Sequence, residues 1–426
     1  MKCDIQQDVN VEGSEKEDLL HVGFLQERLF DGGAEMVSLR SADFFDKRGV
    51  TSTFFVSEVD KAEKNRLPCG EIITLPHDVM SYDCFSDENV ALLSDEINRR
   101  DIRILFINAE TKYVVVPAML RQQTPRCHYV YWQHLPPMWE IINKVAGKAA
   151  RARMSVGRWI EVNLLWRPKY LFQRGRAIKQ LREVYLRCFR SVNGLIVLHE
   201  CYRQEWIRLF ALDSEEQSRI YSFINTLPIN GEAKIEKKKQ IVFVGRLSLA
   251  DKQVDLLLNL WRRVAPRLPD WELRFHGTGR VENMLQNRID KYCIPRVKLM
   301  GYTANTQKVY DDAAVLCLPS SYEGWPLAIE EAQNNGVVPV AFNCCQGVAA
   351  MIGEGEHAAG ICVEKNNWAM FGNELVRLCQ DEDLRARMQQ NCMEKRWEYA
   401  PGVNDATWKT MLGRFNLRWP TLSSEK

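Results

Sequence analysis

The chain has 426 residues and a mass of 49.4 kDa, room for two or three domains of ordinary size, and its 46% hydrophobic content excludes a wholly disordered protein. Its 57 Lys and Arg against 55 Asp and Glu leave a net charge of +2, which excludes a general nucleic-acid wrapper and makes any basic footprint local. The 13 cysteines form no C-x-x-C pair and no Cys/His cluster, and the first residues lack the apolar core of a secretory signal, so reduced thiols in a cytosol are expected.

In chain order, residues 1–18 are polar and acidic and read as a frayed tail. Short apolar strands then alternate with amphipathic helical stretches, the rhythm of βαβ units and parallel sheets. Strands are predicted near His21 to Leu25, Thr51 to Val56, Glu71 to Leu75, Ile102 to Ile107, His128 to Trp132 and Gly194 to His199. A segment rich in charge and turn formers, Thr226 to Lys239, reads as an interdomain linker. A second series follows, near Ile241 to Val244, Trp271 to Phe275, Val297 to Met300, Val315 to Leu318 and Val337 to Phe342, with a helix over Val254 to Ala265. The longest apolar runs, such as Tyr113 to Leu120, fall far short of the ~20 residues a membrane-spanning helix needs. The expected architecture is α/β: a first domain at 19–225, the linker at 226–239, a second domain at 240–400 and a helical C-terminal stretch at 401–426. Two such sheets bind ligands in the cleft between the carboxyl ends of their strands.

Two segments of the second domain carry chemistry. In IVFVGRLSLADK, the strand ends at Gly245 and is followed by Arg246 and Lys252, two cations at its carboxyl edge that suit a diphosphate. Two solvated loop cations are the alternative for the pair alone. In LPSSYEGWPLAIEEA, Pro326 suits the first helical position, so the free amides of Leu327 and Ala328 would point from the helix N-terminus toward a phosphate or sugar oxygen. Gly324 would let that ligand approach closely, and Glu323 and Glu331, eight residues apart, can accept from sugar hydroxyls. The alternative is that Glu323 favours the helix terminus while Glu330 and Glu331 form a solvated face.

The E-x7-E pattern from Glu323 to Glu331, preceded by Gly245, Arg246 and Lys252, resembles the nucleotide-sugar glycosyltransferases of the retaining family 4, with the GT-B fold: two Rossmann-like domains facing across a cleft. GGAE at Gly32, Gly33, Ala34 and Glu35 matches the family's acceptor-side loop beneath the reaction centre, although a plain strand-to-helix turn accounts for the two glycines nearly as well. His134 in YVYWQHLPP stands where the family has a histidine facing the donor sugar, and INTLP at Ile224 to Pro228 matches its entry to the linker. The resemblance implies that Arg246 and Lys252 hold the donor diphosphate, that Glu323 binds hydroxyls of the transferred sugar and that Glu331 binds the ribose. It implies that His134 orients the sugar near its C6 hydroxyl, and that Gly301 and Tyr302 frame the base. Trp325 stands where many relatives have phenylalanine, and the larger ring would reshape the sugar pocket. In this fold the stretch from Asn404 to Phe415 can cross back to the first domain. Gly277 to Gly279, GTG, lacks the context of a dinucleotide fingerprint.

No metal and no cofactor are expected. The single Asp-x-Asp, Asp381 to Asp383, opens a helix, where capping explains it. From Lys144 to Arg190, 13 Lys and Arg face two acids, a local charge of +11 interleaved with Trp159, Leu164, Leu165, Trp166, Tyr170, Leu171 and Phe172. This segment, 144–190, reads as a contact with an anionic membrane surface; a solvated basic face and an RNA site compete with it. The function expected is transfer of a hexose from a nucleotide-sugar donor to a hydroxyl of a glycan or glycolipid acceptor in surface polysaccharide or glycoconjugate synthesis. The place expected is the cytoplasm, at the inner face of the membrane. A GT-B epimerase or phosphorylase and a non-enzymatic scaffold are the alternatives, and no nucleic-acid partner is expected.

Overall fold

The structure is a computed structural model that describes residues 20–29, 32–59, 69–80, 84–229 and 234–420. The predicted tail and part of the predicted linker lie outside the described residues. Two parallel sheets form the framework. The first contains β1 (His21–Gln26), β2 (Thr51–Val56), β3 (Glu71–Thr74), β4 (Ile102–Asn108), β5 (His128–Gln133), β6 (Gly194–Val197) and β7 (Ile220–Ser222), in the order β3-β2-β1-β4-β5-β6-β7. The second contains β8 (Gln240–Val244), β9 (Glu272–His276), β10 (Val297–Leu299), β11 (Val315–Leu318), β12 (Val338–Asn343) and β13 (Ile361–Glu364), in the order β10-β9-β8-β11-β12-β13.

The central strands are largely apolar and buried in their middle residues, as expected of a parallel sheet covered on both faces. In the first lobe Phe24 stacks on Phe54 and Phe106 at 5.1 and 5.3 Å between centroids, and all three rings are fully buried. Every strand predicted from sequence is present within a residue or two, and two short ones are added. The three-residue β7 and the four-residue β13 are edge strands, too brief to show a period of their own. The run predicted to reach His199 stops at Val197, because His199 turns to cap the helix Glu200–Phe210 and its ring nitrogen accepts from the Cys201 amide at 3.2 Å.

The chain crosses between lobes twice at one place. After β7 it leaves the first lobe through Ile224, and near its end it returns as the helix Asp405–Arg414. There Trp408, Met411, Leu412 and Phe415 join the core of Phe24, Phe45, Trp132 and Phe223, with the Trp408 and Phe223 rings 4.1 Å apart. Asn404 ties the crossings together: its amide donates to the Ile224 carbonyl at 2.7 Å, and its side-chain oxygen accepts from the Ile224 amide at 3.1 Å. The two crossing segments are thereby tied side by side.

Candidate functional site

The loop after β8 rests on the GTG run that the sequence left without a role. Gly245 has φ +146° and donates its amide to the His276 carbonyl at 2.9 Å, while the Leu247 amide donates to the Thr278 carbonyl at 2.8 Å. A Cβ at Gly277 would stand 2.0 Å from the Gly245 oxygen and one at Gly279 2.1 Å from the Leu247 oxygen, so only glycines let the two loops touch. On this bed Arg246 extends outward, 73% exposed along its side chain, with its guanidinium 3.1 Å from Asp251 Oδ2. Lys252 turns the other way. Its ammonium forms a short ion pair with Glu323 Oε1, both side chains largely enclosed. Burial works against the charged lysine, but the Glu323 carboxylate outweighs it and holds Lys252 above its ordinary range.

Glu323 and Gly324 lie on the loop after β11, ahead of the helix Leu327–Asn334. Pro326 is the N-cap of that helix, at φ −70° and ψ 106°, and not its first residue; the helix starts one position later than the sequence suggested. Gly324 does more than leave room for a ligand. A Cβ there would be 2.0 Å from the His134 carbonyl oxygen, so this glycine is where the second lobe presses on the backbone of the first. Tyr202 of the first lobe seals the contact, donating its hydroxyl to the Gly324 carbonyl at 2.6 Å and accepting from the Gly347 amide at 3.1 Å. Trp325, expected beside the sugar, is instead buried at this lobe contact and stacks on His199 with centroids 5.1 Å apart. Its ring packs against the first lobe because the backbone at Gly324 brings the two together there.

The two last acids of the motif also differ from a solvated face. Glu331 receives a 2.8 Å hydrogen bond from Arg40, which comes from the first-lobe helix Gly33–Asp46. Glu330 is fully buried, and burial pushes its carboxyl well above the usual range. The alternative of two surface acids therefore fails for this pair.

On the first-lobe side, Gly32 is the N-cap of Gly33–Asp46, and the Glu35 carboxylate folds back over it, 2.5 Å from where a Cβ would be. An acid in that first turn suits the positive end of a helix. A Cβ at Gly33 would lie 3.7 Å from Leu327 Cδ1, so the opening residues of two helices from opposite lobes are neighbours. His134 stacks on Trp132 and lies 3.3 Å from Asn108 Oδ1; burial pulls its imidazole down to about 3, which leaves it neutral at physiological pH. The structure thus brings together Lys252, Glu323, Gly324 and His134 directly, with Leu327, Ala328 and Gly33 at the facing helix starts. Gly301 and Tyr302 stand on the loop after β10. Gly301 adopts φ +70°, its carbonyl accepts from the Gly277 amide at 2.8 Å, and the Tyr302 ring is exposed.

Several residues of the site gave no signal in sequence. Tyr202 and Arg40 act across the cleft from helices whose register cannot be set against the other lobe by pattern alone. Tyr322 adjoins the motif, and its hydroxyl donates to Asn143 of the first lobe at 2.8 Å. Asp251 sits inside the predicted segment and orients Arg246. Asp381 caps its helix by accepting from the Leu384 amide at 2.9 Å, as its position suggested. Among the described residues no three His, Cys, Asp or Glu side chains are grouped to hold a metal, and no helix is long and apolar enough to cross a membrane.

Residues 228–395 match the family model for glycosyl transferases group 1. The second lobe is thus similar to this glycosyltransferase family. It is 29% identical over 255 residues to an uncharacterized glycosyltransferase of Haemophilus influenzae, covering 59% of this chain and 69% of that one. To the poly(ribitol-phosphate) alpha-N-acetylglucosaminyltransferase of Staphylococcus aureus it is 27% identical over 228 residues, covering 51% of this chain but 44% of that protein. The crystal structure of TarM superposes with a TM-score of 0.68 at 14% identity, over 95% of this chain and all of that one. That likeness shows the fold, GT-B, across both lobes. The matched stretch contains Arg246, Lys252, Glu323 and Glu331.

Proposed function

We propose that this protein is a retaining glycosyltransferase that moves a hexose from a nucleoside-diphosphate sugar to a hydroxyl of a glycan acceptor, lipid-linked, in surface polysaccharide or glycoconjugate synthesis. The observation that carries this reading is the Lys252–Glu323 ion pair placed where two helix N-termini from opposite lobes meet. Cation, amides and hydroxyl acceptor then lie within one cleft, which is the set a diphosphate joined to a sugar requires. Nucleotide sugars are cytoplasmic metabolites, so the reading places the enzyme in the cytoplasm.

In the proposed reaction the bond between the anomeric carbon and the diphosphate oxygen breaks as the acceptor oxygen attacks from the same face. The acceptor's proton passes to the departing phosphate, and no side chain becomes a nucleophile. Lys252 and Arg246 stabilise the charge that grows on the leaving diphosphate, assisted by the free amides at Leu327 and Ala328. Glu323 accepts from hydroxyls of the transferred sugar, and Glu331 from the ribose. His134, held neutral by burial, hydrogen-bonds the sugar without adding charge beside the developing oxocarbenium. Because two cations and two helix ends supply the positive charge, turnover needs no metal: it should persist in a chelator. The test is transfer from a panel of nucleotide sugars to lipid-linked glycans, with wild type against Arg246→Ala, Lys252→Ala and Glu323→Ala. Each variant is expected to lose well over tenfold in turnover. Wild-type rates in all three would reject the site, and conversion of donor without any acceptor would favour an epimerase.

A further inference from the structure

The basic segment is a helical hairpin whose outer edge is apolar. The helix Trp139–Ala152 turns at Arg153 and Met154 into a run made of Val156–Ile160, a π-helical stretch Glu161–Trp166 and the helix Arg167–Ser191. Its aromatic and apolar residues divide into two sets. Val162 is buried, and Trp166 stacks on Tyr170 at 4.8 Å, with Lys148 and Lys144 of the first helix over their rings. These face inward. Val156, Leu165 and Phe172 are 77%, 69% and 92% exposed, and Trp159, Leu164 and Leu171 are exposed with them. Leu164 and Leu171, and likewise Leu165 and Phe172, are seven residues apart, so they share one face of the run. Arg158, Arg167, Lys169, Arg174, Arg176 and Lys179 border this edge, all exposed and none in an ion pair among the described residues.

We propose that this edge is a docking surface for an anionic lipid bilayer, entered by Leu164, Leu165, Leu171 and Phe172 while the bordering cations meet the headgroups. Charge complementarity selects that occupant. A second copy would set one +11 segment against another, and the exposed edge is chiefly aliphatic, with Val156, Leu164, Leu165 and Leu171, where single-stranded RNA needs a row of aromatic faces to stack its bases on. A ridge of this kind lies in the interface and does not span it. Arg153 anchors the hairpin to the second lobe through Asp255, at 3.2 Å, and the Leu249 carbonyl, at 2.6 Å, so docking holds the donor-side loop near the surface. The proposal stands apart from the glycosyltransferase reading, since it rests on the hairpin alone.

The test is flotation of the full chain with vesicles of phosphatidylglycerol and phosphatidylcholine, beside vesicles of phosphatidylcholine alone. The comparison variant is Leu164→Ser/Leu165→Ser/Leu171→Ser/Phe172→Ser, whose positions are all exposed, with folding checked by its melting transition. Wild type should float with the anionic vesicles at low salt and much less in high salt, and the variant's partitioning should fall roughly tenfold or more. Amide exchange across residues 156–175 should slow when vesicles are added. Wild type left in the soluble fraction at low salt overturns the proposal. So does a variant that floats like wild type, or an edge whose loss only converts a dimer to a monomer. Nucleoside-diphosphate binding by the same two proteins reports separately on the transferase reading.

Discussion

Glu323 and Glu331 lie eight residues apart in one motif, yet they are restrained in opposite ways. Glu323 is paired with Lys252, a neighbour in its own lobe, whereas Glu331 is held by Arg40 from the helix across the cleft. Separating the lobes would leave the first pair intact and break the second. The motif therefore joins a fixed part of the second lobe to a part that depends on how the lobes meet. Gly324, between the two acids in sequence, explains the coupling, because its missing side chain is what lets the second lobe reach the His134 backbone.

If Glu323 and Lys252 are the fixed half, removing one should be the most damaging change. Lys252→Met should cut turnover by about a hundredfold or more and, by leaving an enclosed carboxylate unpaired, cost roughly 1–3 kcal/mol in denaturant unfolding. Adding Glu323→Gln should restore most of that stability and none of the activity; a double variant as unstable as the single would show the pair is not the cause. Gly324→Ala tests the coupling. Its Cβ cannot sit 2.0 Å from a carbonyl oxygen, so the loops must part, with roughly tenfold less turnover, about 1–3 kcal/mol less stability and a larger radius in solution scattering. Arg40→Ala touches only the movable half. It should raise the donor KM about threefold with kcat nearly unchanged, because it frees Glu331 from a positioning contact without removing a group from the reacting centre. An unchanged KM would make the Arg40–Glu331 pair incidental.

The smallest effect is one of pH. His134 has its pKa lowered to about 3 by burial, below its unfolded value of 6.5, so the unfolded chain binds the extra proton between those values. Stability is then full above pH 6.5 and falls as the pH drops through the window. His134→Gln should flatten this slope, recovering about 1–2 kcal/mol at pH 5 relative to wild type. Equal acid sensitivity in both proteins would place the titration elsewhere.

Much of the second lobe is legible in the sequence because strand ends and loop chemistry are local. Val244 to Lys252 and Leu318 to Glu331 each carry a buried strand, a turn and charged residues in one stretch, so position and role could be read together. The role of GTG escapes the sequence because it is to support another loop, through contacts between Gly277 and Gly245 that no local pattern encodes. The inward packing of Trp325 is hidden for a related reason: its neighbour His199 lies more than a hundred residues away in the other lobe. Arg40 and Tyr202 were invisible on the same grounds. The basic segment is legible as a whole, but its division into inward Trp166 and Tyr170 and outward Leu165 and Phe172 rests on packing against Lys144 and Lys148 of the preceding helix, which no local pattern encodes.

The central claim is that a diphosphate is held between Lys252, Arg246 and the facing helix ends. Thermal-shift titration with a panel of nucleoside diphosphates, comparing wild type with Arg246→Ala/Lys252→Met, tests it most directly. The account predicts that at least one nucleoside diphosphate raises the wild-type melting temperature and that the double variant loses the shift. A shift of equal size in the double variant, or no shift with any nucleoside diphosphate in wild type, would contradict it.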